Sequence, residues 1–463
     1  MGLIIDLFYA IAFLLAAPFL LIKSLRTGKY RSGWPARFGR GEDVFPNRPP
    51  TARVLLLHCV SVGELLSVQT LIQKLLAADP RLLIAISTTT DTGTARAETL
   101  YPADPNDPRH NPRIAAVRFP LDFTFALESF FDRVRPDAIA LVELETWPMF
   151  LTIAHSRRIP TVIINGRLSE RSFPRYMWIQ PLMAAMLDKL DWIAVQTPTI
   201  ANRFISLGAS PDQVAVIPTL KYDNASFDDT LPGQHALAAA MGLHPDHQLF
   251  VAGSTGPGEE APLLDAYLAL REKHPALRLA IAPRKPETVP QVLDAINSRH
   301  LTPLLRTDHP DLTDPAPIEN RKSNIENHEI FVLNTLGELK KLYALASFVF
   351  VGRSLVPLGG SDMIEAAALA KPTCFGPFTA NFAEVVELLL NEKTAIEVMD
   401  GEELKSVVDG WLKSPDSARQ MGQKARHIIR AQCGSTDLYV RRLLDLLSPS
   451  GAGPIAAKSP AGE

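Results

Sequence analysis

Cysteine is scarce in this chain: Cys59, Cys374 and Cys433 are the only three among 463 residues. They are far apart and odd in number, which excludes a disulfide framework and the close spacing of a zinc site. A reducing compartment is the simpler setting. An excess of charge of either sign is missing too. Lys and Arg number 47 against 50 Asp and Glu, a formal net charge of -3, so nothing pulls the whole molecule towards nucleic acid and any basic surface is local. No G-x-G-x-x-G and no P-loop opens a helix, which disfavours a dinucleotide-dependent oxidoreductase. Charged residues make up only 21% against 46% apolar, so the chain is globular rather than disordered. Its length exceeds one core and suits two domains with additions.

Positive charge is also absent from the extreme N-terminus. No Lys or Arg precedes the run Leu3 to Ile22, which is apolar apart from Asp6 and carries one proline, Pro18. That length just spans a bilayer core as a helix. Lys23, Arg26, Lys29, Arg31, Arg37 and Arg40 follow it. The one-sided flank argues against a cleaved signal peptide and places everything after Ile22 in the cytoplasm. A helix lying on the membrane without crossing is the alternative. Both readings tether the chain to membrane lipids.

From residue 53 short apolar runs alternate with helical spacing. The strand candidates are Val54 to His58, Leu82 to Thr88, Ile114 to Phe119, Ala138 to Val142, Thr161 to Asn165, Trp192 to Gln196 and Val214 to Pro218. Asn224 to His247 breaks the rhythm with Pro232, Gly233 and Pro245 and reads as a linker with one short helix. The alternation restarts at Leu249 to Ala252, Arg278 to Ala282, Ile330 to Leu333, Phe348 to Val351 and Thr373 to Phe375. The polar segment Arg306 to His328 reads as an exposed insertion. Residues 402 to 447 look helical, and the Gly-, Ala-, Pro- and Ser-rich tail from Ser448 looks disordered. Buried strands alternating with helices specify parallel sheets covered on both faces. The expected division is an anchor over 1–24, a basic juxtamembrane segment over 25–47, one doubly wound domain over 48–224, a second over 225–435, and a C-terminal helix with its tail over 436–463. Ligands of such sheets sit outside the C-terminal strand ends.

Those strand ends hold the polar residues worth weighing. Ser61-Val62-Gly63-Glu64 follows the first strand. As a capping box it is an ordinary helix start. Alternatively Glu64 is a base, kept ionised by the helix N-terminus. Glu143 and Glu145 close a central apolar strand, where a carboxylate is costly without a partner or a task. Arg167 and Arg171 after Asn165 suit phosphate or carboxylate groups, with pairing to Glu170 as the plain alternative. Lys221 ends the first half. In the second half Gly253-Ser254-Thr255-Gly256 opens a helix that can bind an anion through backbone N–H groups. Pro283-Arg284-Lys285, Gly337-Glu338-Leu339, Gly352-Arg353-Ser354 and Gly359-Gly360-Ser361 through Glu365 lie at further strand ends. Together they suit a base, a ribose and a phosphate; singly, each is an ordinary βα loop.

The order of these motifs resembles the Kdo (3-deoxy-D-manno-octulosonic acid) transferases of lipopolysaccharide synthesis over nearly the whole chain. The likeness runs from the anchor and Tyr30-Arg31, Trp34 and Arg37-Phe38-Gly39, through the turn ending at Glu64, to Glu143, Trp147-Pro148, Asn165 and Lys221. It continues through Gly258-Glu259-Glu260, Arg284, Gly337-Glu338-Leu339, Glu365, Gly376-Pro377 and Asn381-Phe382. The resemblance implies an α/β fold of GT-B type: two Rossmann-like doubly wound domains facing a cleft, plus the N-terminal anchor. It implies Kdo transfer from CMP-Kdo to a lipid A precursor (lipid IVA) at the cell inner membrane, with no metal, no cofactor and no nucleic acid. It makes Glu64 the general base, and Glu143 and Lys221 the stabilisers of the transition state. Pro283, Arg284, Gly337, Glu338, Leu339, Asp362, Met363, Ile364 and Glu365 then hold CMP.

Four departures all fall on the donor side. The family's histidine after Ser-Thr is Gly256 here, its Pro-Arg-His ends in Lys285, and Arg353 stands where a second glycine is usual. Ser361, Asp362 and Met363 replace its His-Asn-Pro. Two rival readings follow: a GT-B transferase using a different nucleotide sugar, and a membrane-tethered relative that binds nucleotide or lipid A without transferring sugar.

Overall fold

The computed structural model describes residues 33–244, 246–308 and 330–448, together with Asp6, Leu7, Tyr9–Ile11, Leu15, Pro18 and Phe19. Most of the apolar run Leu3 to Ile22, the basic residues Lys23, Arg26, Lys29 and Arg31, most of Arg306 to His328 and the tail beyond Ser448 lie outside the described residues. The chain forms two compact units. One takes the chain up to Asn224 and again from Cys433, and the other is Ala225–Gln432.

The first unit is built on a seven-stranded parallel sheet. Its strands are β1 (Arg53–His58), β2 (Leu82–Thr88), β3 (Ile114–Arg118), β4 (Ala138–Val142), β5 (Thr161–Gly166), β6 (Trp192–Val195) and β7 (Val214–Val216), in the order β3-β2-β1-β4-β5-β6-β7. Every residue of β2 and β4 is buried, as expected of a sheet covered on both faces by its crossover helices. Successive side chains point to opposite faces. Val54 and Leu56 accordingly join one core, and Leu55 and Leu57 the other.

The last helix among the described residues, Ser435–Leu447, belongs to this unit. Tyr439, Val440, Leu443 and Leu447 complete the core that contains Leu55 and Leu57. The helical stretch read over 402 to 447 is in fact three helices, Gly401–Lys413, Pro415–Ala431 and Ser435–Leu447. Pro415 and the left-handed Gly434 make the breaks.

At the other end of the chain, Asp6 Oδ1 accepts the N–H of Thr124 at 2.9 Å, and Tyr9 donates its hydroxyl to Asp122 at 2.9 Å. Asp6 therefore has a protein partner. Leu7, Ile11, Leu15 and Phe19, spaced four apart, are all more than half exposed. Among the described residues no helix is long and apolar enough to cross a membrane. Arg37, counted above in the basic flank, is 7% exposed and paired with Asp91 at 2.9 Å, and Arg118 reaches the same carboxylate at 2.6 Å. It is a structural ion-pair residue, since Asp91 opens the helix Asp91–Leu100 and attracts both guanidinium groups.

The second unit repeats the design. Its strands are β8 (Gln248–Thr255), β9 (Leu277–Pro283), β10 (Pro303–Leu305), β11 (Ile330–Val332), β12 (Phe348–Val351), β13 (Thr373–Phe375) and β14 (Ile396–Glu397), in the order β10-β11-β9-β8-β12-β13-β14. Strand order reverses between β1 and β4 in the first unit, and between β8 and β12 in the second. Crevices at such reversals are where doubly wound sheets bind ligands.

Candidate functional site

In the first unit the reversal carries the acidic residues. Ser61 caps the helix Val62–Ser67 by accepting the Glu64 N–H at 3.4 Å, and the Glu64 carboxylate turns back on the same turn. It accepts the Val60 N–H at 2.8 Å and the Ser61 hydroxyl at 2.7 Å. The Val60 carbonyl in turn accepts from the amide and hydroxyl of Thr90, so β1's turn is pinned to β2's. The helix start expected of Ser61-Val62-Gly63-Glu64 is formed, with Ser61 as its cap. It does not, however, keep Glu64 ionised as the helix N-terminus alone would. Burial to 8% exposure, assisted by the charge of Glu143, pushes the carboxyl up to about 7 against the hydrogen bonds from Ser61 and Val60.

Glu145 is pushed up to about 7 in the same way, by burial first and then by Glu64 and Glu143. The three glutamates thus share one electrostatic neighbourhood at the β1–β4 reversal. Glu143 sits in the left-handed backbone region, φ 65°, which re-aims the chain as it leaves β4.

Asn165, also left-handed at φ 53°, organises the neighbouring strand ends. Its side-chain oxygen accepts the Gln196 amide at 3.1 Å and the Leu220 N–H at 3.3 Å, while its own N–H donates to the Tyr439 hydroxyl at 3.0 Å. Lys221 follows Leu220 directly. Asn224 then ties this turn to the helix of Glu64 by donating to the carbonyls of Leu66 and Ser67. Lys221 and Glu64 are therefore mounted on one hydrogen-bonded framework.

In the second unit Glu259 is fully buried, and its carboxylate accepts four backbone N–H groups. Gly256 and Arg353 donate to one oxygen at 2.8 and 2.6 Å, and Ser354 and Leu355 to the other at 2.8 and 2.9 Å. It clamps the loop after β8 to the loop after β12. Arg284, exposed at the end of β9, donates its N–H to Thr255 O at 3.0 Å. The charges of Arg284, Asp362 and Glu365 all act on the hydroxyl of Tyr343, and Lys340 lies 3.5 Å from Glu365. Burial first, then Asp362, raises the Glu365 carboxyl, opposed by Lys340 and Arg284.

Arg284, Asp362 and Glu365 thus come together. Glu338 faces a different set, Thr335 at 2.7 Å and Arg306 at 3.1 Å. Gly337 takes φ 87°, Leu339 opens the following helix, and Pro283 ends β9. Met363 and Ile364 are buried in the core. No group of three or more His, Cys, Asp and Glu side chains among the described residues is placed to hold a metal ion.

Tyr343 escaped the sequence reading, and Thr255 entered it only through the backbone of its turn. Tyr343 and Thr255 both bury a hydroxyl without a hydrogen-bond partner among the described residues, which is costly in a finished core. Tyr343 lies against Gly253, where a Cβ would come within 2.1 Å of its hydroxyl. In the sequence Tyr343 is one more apolar-face residue of a short helix, so nothing there marks it.

Comparison with known proteins bears on both units. Residues 32–224 match the family model described as 3-deoxy-D-manno-octulosonic-acid transferase. The 3-deoxy-D-manno-octulosonic acid transferase of Haemophilus influenzae is 29% identical over 448 residues, covering 96% of this chain and 98% of its own. That of Bordetella pertussis is 29% identical, covering 95% and 98%. A solved glycosyltransferase from Rickettsia africae shares the fold at a TM-score of 0.55 and 13% identity, covering 86% of this chain and 98% of its own. The solved UDP-GlcNAc 2-epimerase of Neisseria meningitidis does so at 0.55 and 14%, covering 85% and 99%. The two doubly wound units are those of the GT-B fold. With residues 32–224 matching that family model, and with relatives aligned from end to end, the chain is similar to the Kdo transferases along its length and is a glycosyltransferase.

Proposed function

We propose that this enzyme transfers Kdo from CMP-Kdo to a lipid A precursor, lipid IVA, with Glu64 as general base and no metal. The observation that carries this reading is the Glu64 carboxyl, buried at the β1–β4 reversal and pushed up to about 7. A base is most effective when its pKa lies near the working pH. The acceptor hydroxyl attacks the anomeric carbon of Kdo and gives its proton to Glu64. The bond from that carbon to the CMP phosphate breaks, and CMP leaves with the electron pair. Glu143 and Lys221 stabilise the transition state in the first unit.

In the second unit Arg284 takes up charge on the departing phosphate, alongside Pro283, the Gly337-Glu338-Leu339 turn and Asp362 to Glu365. The buried side chains of Met363 and Ile364 fit a role in shaping that loop rather than in touching CMP. The N-terminal run tethers the enzyme to the inner membrane, with its catalytic units in the cytoplasm. The exposed stripe Leu7, Ile11, Leu15 and Phe19 supports membrane contact.

Incubating the purified enzyme with CMP-Kdo and lipid IVA, followed by mass spectrometry, should give an acceptor heavier by Kdo and release CMP. An unchanged acceptor would refute the reading. The departures at Gly256, Lys285, Arg353 and Ser361 to Met363 favour one second reading, a different nucleotide-sugar donor. The same assay run with other donors separates the two.

A further inference from the structure

Gly256 and Arg353 face each other across the β8–β12 reversal, held by the same carboxylate oxygen of Glu259. The space beside Gly256 is already taken. A Cβ there would come within 2.5 Å of Leu358 Cδ1 and 3.1 Å of Arg353 Cγ. Arg353 itself stands at φ 60°, a left-handed backbone that disfavours any side chain. Such strain persists where surrounding structure enforces it, and it concentrates at ligand sites. Its guanidinium is half-exposed and donates to Leu358 O at 2.8 Å, with no carboxylate in ion-pair range among the described residues. Arg284 and the unpartnered hydroxyl of Thr255 lie at the adjoining strand ends.

We propose that Gly256 and Arg353 form a reciprocal pair: the missing side chain at 256 makes room for Arg353, whose guanidinium binds an anionic oxygen of the nucleotide-sugar donor. This rests on the second unit being the donor domain. Arg353→Gly removes the charge and relaxes the backbone, so its fold should be as stable as wild type or more so. Gly256→His inserts a ring where Arg353 and Leu358 already stand, so it should destabilise. Neighbouring sites that share space are non-additive, and the double variant should recover stability lost in Gly256→His.

The test is calorimetric titration with CMP, donor kinetics with CMP-Kdo, and thermal unfolding of wild type, both single variants, the double variant and Arg353→Lys. Loss of a charge-assisted contact predicts about 10–100-fold weaker CMP binding by Arg353→Gly, an unlowered melting temperature, and partial rescue by Arg353→Lys. If CMP binds normally but the donor KM rises by that factor, the contact is to the sugar carboxylate rather than the phosphate, and the pair still stands. Unchanged CMP affinity and unchanged donor KM in Arg353→Gly overturn the proposal, as do purely additive melting temperatures across the cycle. Wild type that binds CMP tightly but transfers no Kdo refutes the proposed function and leaves this inference intact. Wild type that binds neither CMP nor CMP-Kdo refutes this one.

Discussion

Asp223 reaches across 213 residues of sequence to Thr436: its Oδ2 accepts the Thr436 N–H at 2.6 Å, and Oδ1 accepts the Gly434 N–H at 2.6 Å. These are the first free amides of the chain's last helix, capped from another part of the chain. Asp223→Ala should lower the stability of the first unit by about 1–2 kcal/mol. Urea unfolding would show the loss, and hydrogen exchange should localise it to Ser435–Leu447. Unchanged exchange in that helix would show that the cap contributes nothing.

Glu64→Gln separates cap from base. The amide keeps the shape and can still accept from Val60, but it cannot take a proton. Turnover should fall about 10²–10⁴-fold while CMP binding stays near normal. A variant within a few-fold of wild type would leave Glu64 as a cap only, with Glu143 and Glu145 next in line.

The raised Glu64 carboxyl also sets a pH profile. With its folded value at about 7, activity should drop about tenfold per unit as pH falls below 7, and level off above it. The stability sign is opposite. The folded state keeps its proton between the unfolded value of about 4.3 and about 7, so this group's contribution to stability is greatest below that window and fades as pH rises through it. Glu64→Gln never ionises, so relative to wild type it should be more stable at pH 8 than at pH 5. A pH-independent difference between the two melting curves would contradict the assigned shift.

Arg284→Ala should raise the donor KM about 10–100-fold, the equivalent of one charge-assisted contact, with an unchanged melting temperature because its side chain is exposed. Normal donor kinetics would remove Arg284 from the site.

Tyr343→Phe deletes a buried hydroxyl that has no partner among the described residues. The apo protein should be as stable or slightly more stable, and the donor KM should rise about 2–10-fold if the ligand completes that hydrogen bond. A stability loss would mean that the hydroxyl has a partner in the free enzyme.

These strands were readable because they are fully buried and therefore apolar along most of their length: Leu82–Thr88, Ala138–Val142 and Phe348–Val351 run over the residues expected of them. The strands missed were β10 and β14, two or three residues long at the sheet edges, where packing imposes little pattern and even Pro303 is tolerated. Within the site, residue types at strand ends could be read but their electrostatics could not. The Ser61–Glu64 spacing announced a cap, while the Glu143 charge that joins burial in raising Glu64 comes from the end of β4, far away in sequence. Left-handed backbone at Glu143, Asn165, Ser254 and Arg353 is likewise written in neighbouring loops, and only Asn165 has a side chain that favours it.

The bonds from Asp223 to Gly434 and Thr436, together with that from Cys433 to Tyr222 O at 3.3 Å, bring the chain back to the point it left at Asn224. Ala225–Gln432 is thus an insertion whose two ends meet. On the ribosome, the first unit starts folding early but waits for its last helix until some two hundred residues of the second have emerged, and until then the core around Leu55 and Leu57 lacks one wall. The second unit has every part it needs before synthesis ends, so the half that starts later is the half able to finish first.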